Sequence, residues 1–155
     1  MSLMRFSLVA GSALAAAIAL SACDSMPTIR TSNARVVEMK AAMTAAKEVP
    51  PNKTSSGEGY AFMTYDEATR TLTWKVYYSR LSGPATAAHI HGPADASANA
   101  GVVINLGAPA SPIVGSATLT ETQAYDLVAG KWYINVHTQG NPGGEIRGQV
   151  MTEAW

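Results

Sequence analysis

Thr71-Leu72-Thr73-Trp74-Lys75-Val76-Tyr77-Tyr78 decides the fold of this chain. Leu72, Trp74, Val76 and Tyr78 alternate with Thr71, Thr73, Lys75 and Tyr77, a period of two that buries one set and turns the other to water. The same alternation runs through Val37, Met39, Ala41 and Met43, set against Glu38, Lys40 and Ala42. Each stretch reads as a half-buried antiparallel strand. Glu58 to Tyr65, Thr86 to His91, Gly101 to Leu106, Ile113 to Leu119, Trp132 to Thr138 and Glu145 to Met151 read as further strands. Turn-forming residues separate them: Pro50-Pro51-Asn52, Asp66-Glu67-Ala68, Ser82-Gly83-Pro84, Pro109 to Pro112 and Gly140 to Gly144.

One helix interrupts the pattern, near 120–129. Thr120-Glu121-Thr122-Gln123 fits a capping box, in which the threonine hydroxyl accepts from the Gln123 amide and Gln123 reaches back. Ala124, Tyr125, Leu127 and Val128 supply its apolar face, and Gly130 suits a left-handed position after its end. The fold expected is therefore all-β, an antiparallel β-sandwich of immunoglobulin-like or superoxide-dismutase-like character with one short helix.

The first residues read as an export signal. Arg5 is the lone charge before an apolar run from Phe6 to Leu20, and Leu20-Ser21-Ala22-Cys23 closes it as a lipobox. The expected division is a lipoprotein signal peptide over 1–22, a flexible tether over 23–35 and one folded domain over 36–155. Cys23, the only cysteine, is the expected lipidation site, so the membrane is an expected partner through that anchor. Palmitate-type acylation places the protein in a bacterial cell envelope, facing the periplasm, and Asp24 leans toward the inner membrane. With that thiol consumed no disulfide remains, and the fold must rest on its core or on a metal.

The chain has 11 basic and 11 acidic side chains. Near-neutrality without a basic patch argues against nucleic acid as a partner. No Gly-x-Ser-x-Gly context and no phosphate-cradling glycine loop occurs, so hydrolase and nucleotide readings lack support.

All three histidines lie in two phrases, Ala88-His89-Ile90-His91-Gly92-Pro93 and Asn135-Val136-His137-Thr138. Residues two apart on a strand face one side, so His89 and His91 point together, away from the layer that Ala88 and Ile90 face. In Trp132 to Thr138 the apolar set defines the core face, which leaves Tyr133, Asn135 and His137 on the other. Three imidazoles on one side can converge on copper or zinc, with Glu145 as a fourth ligand or as a group orienting a histidine. The plainer alternative is that His91 braces Gly92-Pro93 and His137 braces the Asn141-Pro142-Gly143-Gly144 loop. Glu145 and Arg147, two apart on a strand, are expected as an exposed ion pair, and Tyr133, Asn135 and Arg147 as surface contacts. Met39, Met43 and Met63 read as packing rather than as ligands for copper.

Longer phrases carry a family resemblance. Glu48-Val49-Pro50-Pro51, the run from Leu81-Ser82-Gly83-Pro84 through His89-Ile90-His91-Gly92-Pro93-Ala94, and Asn135-Val136-His137-Thr138 with Asn141 to Gln149 together resemble the CHRD domain, first named from the animal signalling antagonist chordin. The resemblance spans roughly Val37 to Met151 and implies an all-β, immunoglobulin-like sandwich of a kind common in exported bacterial proteins. It implies no particular ligand, since chordin's growth-factor binding is credited chiefly to other modules. The His-x-His phrase is also locally similar to copper-zinc superoxide dismutase, but that enzyme's disulfide and fuller ligand set are missing. The function expected is that of a membrane-anchored envelope lipoprotein, a non-enzymatic ligand-binding domain with copper or zinc at His89, His91 and His137. A metal-free module that binds an envelope protein is the alternative, and a copper-dependent redox enzyme the weakest reading.

Overall fold

The computed structural model describes residues 35–152. The signal peptide, Cys23, Asp24 and nearly all of the tether lie outside those residues. The described chain forms nine strands, one short 3-10 turn and one helix: β1 Val36–Thr44, the turn Ala45–Lys47, β2 Glu58–Asp66, β3 Thr71–Ser79, β4 Ala85–His91, β5 Val102–Asn105, β6 Ile113–Thr118, α1 Glu121–Val128, β7 Tyr133–Thr138, β8 Asn141–Gln149 and β9 Met151–Thr152. All pairings are antiparallel, in the order β5-β4-β7-β8-β1-β2-β3-β6, with β9 also paired to β1. The all-β, sandwich-like architecture with one helix is thus the observed one, and the rolled sheet comes close to a closed barrel.

The period of two does what the sequence requires. Val37, Met39, Ala41 and Met43 on β1, Ala61, Met63 and Tyr65 on β2, and Leu72, Trp74 and Val76 on β3 turn inward. They join Ala88 and Ile90 of β4, Ile134 and Val136 of β7, and Ile146 of β8 in one apolar cluster. Burying that much apolar surface is the dominant favourable contribution to folding. The three methionines on β1 and β2 are core filler, as expected.

The capping box forms in full. Thr120 Oγ1 accepts from the Gln123 amide at 3.2 Å, and Gln123 Oε1 accepts from the Thr120 amide at 2.9 Å. Gly130, at φ +72, takes the left-handed position after the helix, where a side chain would be strained.

Two expectations need correction. Gly140 to Gly144 is not all turn: Gln139 and Gly140 alone make the reversal, and β8 already begins at Asn141. The pairing then slips, from Thr138 opposite Asn141 to Val136 opposite Ile146, so residues 142–145 stand opposite His137 alone. A bulge of this kind re-aims side chains next to it. The second correction concerns the outer face of β7 and β8, which is covered rather than exposed. The loop 92–101 folds over it, and every residue of β7 is buried.

Candidate metal centre

β4 and β7 run side by side, with His89 opposite Asn135, His91 opposite Tyr133, and Ala87 opposite His137. That register puts the three histidines on one face of adjacent strands, as their spacing predicts. Their ring centroids lie 4.8 Å apart for His89 and His137, 5.6 Å for His89 and His91, and 6.4 Å for His91 and His137. His91 and His137 are buried, each 8% exposed, and His89 is half-buried at the mouth.

The hydrogen bonds decide which nitrogens are available. His137 Nδ1 donates to the Pro142 carbonyl at 3.0 Å, a contact that the β8 bulge makes possible. His91 Nδ1 donates to the Ala100 carbonyl at 3.0 Å. Since a carbonyl can only accept, each of these rings when neutral carries its lone pair on Nε2. A backbone carbonyl behind the ring is a common way to orient a metal-binding histidine. His89 Nδ1 lies 3.0 Å from His137 Nε2, and one ligand nitrogen from each of the three rings falls within 4.8 Å of the others. Donors on a tetrahedral zinc at about 2.0–2.1 Å are about 3.3 Å apart, so the His89–His137 pair is nearly in place and the third ring must close by roughly 1.5 Å. Burial and the neighbouring His137 and His91 push the His89 pKa down. Burial also pushes His137 down, against the Pro142 hydrogen bond. Both rings are therefore neutral near pH 7, as ligands must be.

Asn135 stands at the third position, its side-chain oxygen 3.1 Å from His91 Nε2; with the lone pair of the neutral ring on that nitrogen, this is a close approach of two acceptors and not a hydrogen bond. His91 is itself held flat: it stacks on Tyr133 with centroids 4.8 Å apart and planes 1° from parallel. On Tyr133 sits the Arg147 guanidinium, 3.5 Å from the ring centroid, a cation–π contact in a dry setting. Arg147 also clasps the covering loop, donating to Asn99 Oδ1 at 2.9 Å, to the Ala98 carbonyl at 2.8 Å and to the Asp95 carbonyl at 3.1 Å. Tyr133, Asn135 and Arg147 are thus not surface contacts; they are buried and build the wall of the site.

Glu145 also departs from its expected place. It is fully buried and makes no pair with Arg147. Its carboxylate accepts from Ser55 Oγ at 2.6 Å, the Ser82 amide at 2.6 Å, Ser82 Oγ at 2.7 Å, Thr138 Oγ1 at 2.6 Å and Asn141 Nδ2 at 3.1 Å. Burial alone would push this carboxyl up, but those bonds together hold its pKa at about 2. With both oxygens engaged it stands outside the histidine cluster and works as a structural knot joining β8 to two loops. His91 likewise braces Ala100 rather than Gly92-Pro93, whereas His137 does brace the segment at Pro142.

The residue that sequence reasoning left unused is Glu48. It is 6% exposed and its Oε1 has no hydrogen-bond partner. Burial, opposed by the Arg147 charge and the Val49 backbone, raises its pKa to about 7. It appeared only inside the Glu48-Val49-Pro50-Pro51 phrase, where nothing marked the acid as buried.

An all-β sandwich-like domain with a histidine cluster under a clasped loop is the class these features define. The family model of the CHRD domain matches residues 39–150. The chain belongs to the CHRD domain family. Neither the comparison with curated proteins nor that with solved structures returned a match.

Proposed function

We propose that this protein is an envelope lipoprotein whose CHRD domain binds a divalent transition metal through His89, His91 and His137, copper first and zinc second. The observation that carries this reading is the convergence of three ring nitrogens while the Nδ1 atoms of His91 and His137 are tied to backbone carbonyls. Imidazole suits both metals, and copper(II) heads the divalent affinity order. Three protein ligands leave a coordination position for an exogenous ligand. The export signal over 1–22 and acylation at Cys23 belong to the same reading, with Asp24 favouring the inner membrane. Calorimetric titration of the full-length chain with copper(II) and with zinc tests the site. One equivalent bound by the wild type and lost in both His89→Ala and His137→Ala, with the fold retained, is the expected result. Absence of binding in the wild type refutes it. Loss of the membrane-bound fraction in Cys23→Ser tests the anchor.

A second reading rests on the same hydrogen bonds: His91 and His137 brace the loop at Ala100 and the bulge at Pro142. In that case the domain is a metal-free interaction module, and alanine at either position lowers stability whether or not metal is present.

A further inference from the structure

Glu48 is 6% exposed, and its Oε1 has no hydrogen-bond partner. The cation that faces it supplies none, because the terminal nitrogens of Arg147 donate to Asn99 Oδ1 and to the Ala98 and Asp95 carbonyls. Native interiors rarely leave a buried acceptor unpaired, so an orphan of this kind raises the question of which donor reaches it, and when. Gly144 shows where that donor stands. A Cβ there would collide with Glu48 Oε1 and stand 2.8 Å from Asn135 Nδ2. The carboxyl oxygen and the amide nitrogen thus flank one spot, which stays open because the bulge places a glycine there, at φ +130.

Asn135 is ill-matched at its other end. Its Oδ1 lies 3.1 Å from His91 Nε2, which carries a lone pair and cannot donate, since Nδ1 holds the ring proton against the Ala100 carbonyl. One amide therefore stands between an acceptor that repels its oxygen and an acceptor that its nitrogen does not yet reach. Withdrawing the amide from His91 removes the first fault and can mend the second. The terminal torsion of asparagine is soft, and the nitrogen already borders the open spot at Gly144.

We propose that Asn135 is a two-position gate on the histidine site and that Glu48 is its latch: the amide crowds His91 Nε2 while no metal is bound, and swings to donate to Glu48 Oε1 when a metal takes that nitrogen. Glu48 thereby becomes a positioning residue for the metal site proposed above, on whose existence the latch rests. Without Glu48 a metal must still push the amide aside, but the displaced nitrogen gains no acceptor. A hydrogen bond to a carboxylate is of the stronger kind, and here it forms in the loaded arrangement alone. Only such a difference between two arrangements shifts the equilibrium between them.

A double-mutant cycle on zinc affinity, read by chelator competition on the full-length chain in detergent, tests this. Glu48→Ala is expected to weaken zinc binding about tenfold when Asn135 is present and by less than about twofold in the Asn135→Ala background. Glu48→Gln keeps an acceptor at the latch and should stay close to wild type; Glu48→Met, which fills the volume without one, replaces the alanine variant should that one unfold. Zinc is diamagnetic, so the Asn135 side-chain amide can be followed by NMR in the same samples. Its signal should shift on loading in the wild type and far less in Glu48→Ala. Equal weakening in both backgrounds overturns the proposal, because Glu48 would then merely support the fold. So does a wild type that binds zinc with the Asn135 signal unmoved. A wild type that binds no zinc refutes the metal site itself, and the latch falls with it.

Discussion

Asn135 Oδ1 lies 3.1 Å from His91 Nε2, and so crowds, without a hydrogen bond to its lone pair, the one nitrogen of that ring which the Ala100 carbonyl leaves open. A metal that takes all three histidines must first displace this amide. Asn135→Ala is therefore expected to tighten copper and zinc binding by about tenfold, read by competition with a chromophoric chelator. Weaker binding in the variant would mean that Asn135 positions His91 rather than blocking it.

Gly144 sits at φ +130 inside the β8 bulge, where a Cβ would collide with Glu48 Oε1 and stand 2.8 Å from Asn135 Nδ2. Both the backbone region and the crowding forbid a side chain. Gly144→Ala should lower stability by about 2–4 kcal/mol in urea unfolding. An unchanged midpoint would show that the bulge can relax.

Glu145 is the acceptor on which Ser55, Ser82, Thr138 and Asn141 all depend. Replacing it with alanine leaves several of those donors unpaired, and a loss of about 3 kcal/mol at pH 7 is expected. The wild-type carboxyl, held at about 2 against an ordinary 4.5, contributes stability that is present above 4.5 and lost as pH falls toward 2. The gap between wild type and variant should narrow over that window; thermal unfolding at a series of pH values would expose a constant gap.

Glu48 has the opposite sign. Its pKa is raised from 4.5 to about 7, so the folded state holds its proton more tightly than the unfolded chain does. Stability from this group then declines as pH rises from 4.5 to 7 and stays low above. Glu48→Gln, which cannot ionise, is expected to melt higher than wild type at pH 8 and close to it at pH 4.5. A variant less stable than wild type at pH 8 would rule out the strained, buried carboxylate.

Much of this was legible in the residues because it depends on local rules. The alternation in Thr71 to Tyr78 fixed β3, the Thr120–Gln123 pair fixed the start of α1, and two-residue spacing put the histidines on one face. What escaped was decided by segments far along the chain. The face of β7 opposite the core was expected to be wet, and it is dry because Arg147 draws the loop 92–101 down through Asn99, Ala98 and Asp95. Glu145 looked like the partner of Arg147 two residues on, yet its real partners lie at Ser55 and Ser82, which no strand period connects to it. A slip in the β8 pairing cannot be read from Asn141-Pro142-Gly143-Gly144, which carries turn chemistry either way.

β1 is hydrogen-bonded to β2 on one side and to β8 and β9 on the other, with Thr44 opposite Arg147 and Met39 opposite Thr152. The earliest strand therefore waits for the latest ones. Contacts this distant in sequence make folding slow, because a long loop must close before they form. β1, β2 and β3 can assemble from neighbours, whereas β4 and β7 gain their link to that half only through β8. A chain cut short before Ile146 would keep every histidine and still lack the seam that joins their half of the sheet to the rest.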